Sequence, residues 1–96
     1  MISTAEMPLT QELHVIRAHH LHYLSLLNHY TKHVNFIKNV HNHAMDAVDE
    51  RDRKASKKLL DRECDNILDE IQRLISELRM QERRLKNVID LVSYIL

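Results

Sequence analysis

The chain contains no glycine and a single proline, Pro8. Without glycine a chain has few ways to build tight turns, hairpin loops or phosphate-cradling loops. Nucleotide-binding glycine-rich motifs and β-hairpins are therefore set aside at once. One cysteine among 96 residues cannot make an internal disulfide. Neither charge sign is in excess, with 14 basic and 14 acidic side chains, so nothing pulls the chain toward nucleic acid or an anionic membrane. No apolar run reaches the roughly 18 residues that a membrane-spanning helix needs. The start, Met1 to Pro8, lacks the basic and apolar regions of a signal peptide.

What the sequence has is heptad spacing. Leu60, Cys64, Ile67, Ile71, Leu74, Leu78, Gln81, Leu85, Val88, Val92 and Ile95 follow one another in alternating steps of four and three, and only Gln81 is polar. Such a seam, held over five heptads, argues for a long helix packed against other helices. A second row, Leu68, Ile75, Ile89 and Leu96, runs beside it and widens the face, which favours a bundle over a two-stranded zipper. The first half repeats the pattern in Leu13, Ile16, His20, Tyr23, Leu27, Tyr30, Val34, Ile37, His41, Ala44 and Val48, flanked by Leu24, Leu26 and Val40. Thr10 suits a helix N-cap, followed by Gln11 and Glu12 in the first turn.

Between the seams, residues 49–58 are charged on all sides, as in a connector or an exposed helical overhang. Asp49 and Asp52 can cap a following helix. The expected fold is therefore all-α: a disordered N-terminus over 1–9, a helix over 10–47, a turn within 47–54 and a helix over 54–96. With nothing to force a stop, one continuous helix competes with this hairpin, but the hairpin folds the apolar faces together. Two helices do not enclose a core, so self-association into a dimer or higher oligomer is expected, most simply a four-helix bundle.

Register follows from the polar residues of the seams. Antiparallel pairing in which partner numbers add to 101 sets His20 opposite Gln81, Leu27 opposite Leu74 and Tyr23 opposite Leu78. Shifting by a heptad leaves both polar residues against apolar ones, at ~1–3 kcal/mol for each unpaired buried group. The expected core and interface residues are Leu13, Ile16, His20, Tyr23, Leu27, Ile67, Ile71, Leu74, Leu78, Gln81, Leu85 and Val88.

All eight histidines lie between His14 and His43. His29 and His33 have the i, i+4 spacing that can chelate one metal ion, while His22 is nearly two turns away. His29 and Lys32 share the His-x-x-Lys spacing of histidine phosphotransfer domains, although His33 stands where those usually have glycine. A His-rich metal-binding or phosphotransfer bundle is thus the competing functional class. No nucleophile, base and orienting group can be assembled, no cofactor is called for, and the chain is not expected to be an enzyme.

Four stretches carry a resemblance: Val15 to Leu27 (VIRAHHLHYLSLL), Asn42 to Met45 (NHAM), Leu60 to Asp65 (LDRECD) and Met80 to Val88 (MQERRLKNV). Together they resemble the soluble helical region of fungal CorA-like proteins, relatives of magnesium transporters, across residues 13–93. The resemblance implies a cytoplasmic, non-catalytic association or regulatory segment ahead of transmembrane helices that this chain does not contain. The family's Gly-Met-Asn pore motif is absent, and Asn42-His43 stands where family members often have Asn-Pro, which leaves the site of the turn open. The expected partner is a second copy, with no nucleic acid and with membrane contact only through that missing region.

Overall fold

A computed structural model describes residues 6–95 as two antiparallel helices, α1 over Glu6–Asn39 and α2 over Glu50–Ile95, joined by a connector with a short 3-10 helix at His43–Ala47. The fold is the expected all-α hairpin, a rod 73 × 18 × 13 Å in extent.

The helix limits differ from expectation. Residues 6–9 are helical rather than disordered, and 1–5 lie outside the described residues. Pro8 does not block this start, because the first-turn N–H it lacks has no intrahelical acceptor in any case. At the other end α1 stops at Asn39 rather than 47, so the turn occupies 40–49 rather than 47–54. Asparagine side chains bonding locally to backbone are the physical reason, since they offer the chain an alternative to the helical ladder. Asn39 Nδ2 donates back to Asn35 O at 2.8 Å. Asn42 Oδ1 then accepts the N–H of Ala44 at 3.1 Å and caps the 3-10 helix. Lys57 Nζ reaches across from α2 to Lys38 O at 2.8 Å, satisfying one of the carbonyls that a helix end leaves free.

α2 correspondingly begins early, at Glu50 rather than 54. Asp49 O accepts the first helical bond from Arg53 at 2.9 Å, with Glu50 and Asp52 in the first turn, where acidic groups suit the helix dipole. The charged segment is thus a helical overhang. Its i, i+4 pairs Glu50–Lys54, at 3.1 Å, and Lys57–Asp61, at 2.6 Å, support a helix with little to bury. The connector runs back alongside these turns, and Val40, His41 and Met45 share a groove with Arg53, Lys57 and Leu60.

Register is marked by two interhelical ion pairs. Arg17 Nε donates to Glu82 Oε1 at 2.9 Å, and Lys38 Nζ to Asp65 Oδ1 at 2.6 Å. The residue numbers in these pairs add to 99 and 103, either side of 101. The helices are rolled by one position, however. On α1 the half-buried residues among those described are Thr10, Leu13, Arg17, His20, Leu24, Leu27, Thr31, Val34 and Lys38. On α2 Cys64, Ile71, Ile75 and Ile89 are buried, with Asp61, Leu68, Leu78, Glu82, Leu85 and Val92 half-buried. The row beside the expected seam, with Leu68, Ile75 and Ile89, therefore turns inward together with one half of that seam, Cys64, Ile71, Leu78, Leu85 and Val92. A fully buried aliphatic side chain contributes roughly 1.5–3 kcal/mol relative to exposure. Among the described residues four, Cys64, Ile71, Ile75 and Ile89, come near that state and none is wholly enclosed, so this seam is a thin core.

A candidate association surface

Of the twelve expected core residues, the hairpin encloses six: Leu13, His20, Leu27, Leu78 and Leu85 in part, and Ile71 almost wholly. Ile16, Tyr23, Ile67, Leu74, Gln81 and Val88 are exposed and do not belong to the intrachain core. Leu74, expected at the centre of the seam, is 39% exposed, and its neighbour Ile75 takes the buried place at 2%. The expected His20–Gln81 polar layer is not formed either. Gln81 lies on the exposed row, and Nδ1 of His20 is buried with no hydrogen-bond partner. Glu82, one position on, faces α1 in its place and meets Arg17.

The roll sorts the side chains in an unexpected sense. Arg17, Thr31, Lys38, Asp61 and Glu82 are turned toward the seam. The more apolar rows, one position earlier in each heptad, are turned away: Leu9, Ile16, Tyr23, Tyr30 and Ile37 on α1, and Leu60, Ile67, Leu74, Val88 and Ile95 on α2. In antiparallel helices related this way both rows open to the same side. Tyr23 and Tyr30 of α1 and Leu74, Leu78 and Gln81 of α2 indeed line one shallow groove. One face of the rod is therefore a long stripe of exposed aliphatic and tyrosine side chains.

The histidines lie elsewhere. His29 and His33 are exposed on α1 with ring centroids 6.4 Å apart, and no third ligand-type side chain joins them among the described residues. The His29–Lys32 spacing sits on an exposed helical surface. His41, His43 and Asp46 of the connector are the group of ligand-type side chains that does converge among the described residues. Sequence reasoning missed this trio because it placed 41–46 in a helix. There residues i and i+2 project to different faces. Only the break after Asn39 brings them together.

Among the described residues, Lys38 is the titratable group with a clear perturbation. Its ammonium is held above the ordinary lysine value, first by the hydrogen bond to Asp65, with the charges of Asp65, Asp61 and Cys64 adding and partial burial opposing.

No protein-family model, curated protein or solved structure matches the chain. No helix among the described residues is long and apolar enough to cross a membrane.

Proposed function

We propose that the protein is a non-catalytic helical association module whose partner is a second copy of itself. The observation that carries this reading is the direction of the roll. The hairpin turns a row containing Arg17, Lys38, Asp61 and Glu82 inward and leaves the row of Ile16, Tyr23, Tyr30, Ile67 and Leu74 in water. A chain that holds its better apolar row in reserve needs a cover for it, because contiguous exposed patches beyond a few hundred Å² usually mark interfaces.

A second copy fits that cover on three counts. Both helices present the same kind of row to the same side, so the face is self-complementary about a two-fold axis. A face of 73 × 18 Å offers on the order of 1,300 Å² in projection, more than the ~800 Å² per partner of a standard stable interface. The formal net charge is zero, so two copies meet without net repulsion. The product is a four-helix bundle with the tyrosine rows at its centre. The reading rests on the exposed rows rather than on the resemblance to CorA-like proteins; under that resemblance the bundle would be the cytoplasmic-side association segment of an ion transporter.

Sedimentation equilibrium at micromolar concentration tests it. The expected mass is a multiple of the 11.5 kDa chain, with the dimer as the smallest species. A helical, cooperatively melting monomer at that concentration would overturn the reading.

A further inference from the structure

The connector carries chemistry that self-association does not use. His41 follows the end of α1, and His43 and Asp46 sit on the 3-10 helix that Asn42 caps. The backbone between them is fixed by Met45 N–H donating to Asn42 O at 3.0 Å and Val48 N–H to Met45 O at 3.1 Å. His41 Nε2 lies 3.1 Å from one Asp46 carboxylate oxygen, and His43 Nδ1 lies 3.6 Å from the other. The imidazole rings stand nearly perpendicular, at 87°, with centroids 4.8 Å apart. One donor atom from each of the three residues lies within 4.8 Å of the other two.

We propose that His41, His43 and Asp46 bind a divalent transition-metal ion of the zinc class. The spacing is right for it. Tetrahedral coordination with bonds of ~2.0–2.2 Å places donor atoms about 3.4 Å apart, and Asp46 Oδ2 lies 3.3 Å from His41 Nε2 and 3.6 Å from His43 Nδ1. All three side chains are exposed, so small rotations that bring the donors together meet little packing resistance. Two imidazoles and one carboxylate suit zinc, nickel or copper. Magnesium and calcium depend on oxygen ligands and carboxylate charge, of which this site has one. Arg53, Lys54 and Lys57 border the groove beside His41 and oppose any divalent cation electrostatically, so the ion must be held by its coordination bonds. Three protein donors leave a fourth position for water. The bound ion would tie the end of α1 to the 3-10 helix and stiffen the one irregular segment between the helices.

The test is titration of the full chain with zinc alone, in competition with a chromophoric chelator, alongside thermal melts. One ion per chain and a raised melting temperature are expected, since a ligand bound to the folded state alone stabilises it. His41→Ala, His43→Ala and Asp46→Asn should each weaken zinc at least tenfold and abolish the rise. All three sites are exposed, and circular dichroism of the metal-free variants checks that the helices are kept. The double variant His29→Ala/His33→Ala should bind like the parent. The proposal is overturned if that double variant loses the ion while the connector variants keep it. It is equally overturned if the parent takes up no zinc, or takes up several ions whose affinity no connector variant changes.

Discussion

At the scale of single residues, Ile75 and Leu74 separate two kinds of burial. Ile75 is enclosed by its own hairpin, and Ile75→Ala should cost ~2–5 kcal/mol through lost transfer energy and the cavity left behind. Leu74 faces outward on the apolar row, so Leu74→Ala acts mainly on association. Its cost should grow with protein concentration in thermal melts, because partner binding adds to apparent stability by mass action, while the cost of Ile75→Ala should change little. Equal and concentration-independent losses would place both residues in one core. His20 makes the opposite kind of site. Its Nδ1 is buried without a partner, and an unsatisfied buried polar atom costs ~1–3 kcal/mol. His20→Leu removes that atom at a half-buried place between leucines, and should raise the denaturation midpoint by a stabilisation of about 1 kcal/mol. A lowered midpoint would mean that His20 finds a hydrogen-bond partner in solution.

At the scale of elements, the Lys38–Asp65 link joins the end of α1 to α2 next to the connector. The folded chain holds the Lys38 ammonium above its ordinary value, so the protonated form favours folding. That contribution is fully present below the unfolded lysine value of ~10.4 and is lost as pH rises through the raised one. The melting-temperature difference between the parent and Lys38→Met should therefore hold steady up to about pH 10 and shrink in stronger alkali. A difference that vanishes near neutrality would assign the stabilisation to something else. The two helices themselves were legible in the sequence, because a 3-4 repeat kept over five heptads admits little else. The register was legible as well, since the ion pairs Arg17–Glu82 and Lys38–Asp65 fall either side of it. The roll was not. A widened face has two adjacent rows, and hydrophobicity favours the row with Tyr23 and Leu74 for whichever interface is considered first. The turn was misplaced because no proline or glycine marks it. The signal that does mark it, asparagine at 39 and 42, works through side-chain bonds to nearby backbone. The connector trio was lost with it.

At the scale of the whole molecule, the proposed dimer takes the apolar face as its interface. Tyr30 is 55% exposed near the middle of that face, across the groove from Leu74. Tyr30→Asp leaves the intrachain seam intact, because the seam at that level is made by Leu27, Thr31 and Val34. In a two-fold dimer the change places a carboxylate in the interface twice, each without a partner. Uncompensated polar burial of ~2–4 kcal/mol corresponds to a loss of affinity on the order of 30- to 1,000-fold. The variant should therefore sediment as a helical chain of 11.5 kDa at concentrations where the parent is associated. Phe36→Asp is the matched control. Phe36 is more exposed, at 67%, but lies outside the stripe, so adding the same charge there should leave the mass unchanged. If both substitutions dissociate the parent complex alike, the partner lies across a different face. If neither does, the tyrosine row is not what holds the copies together.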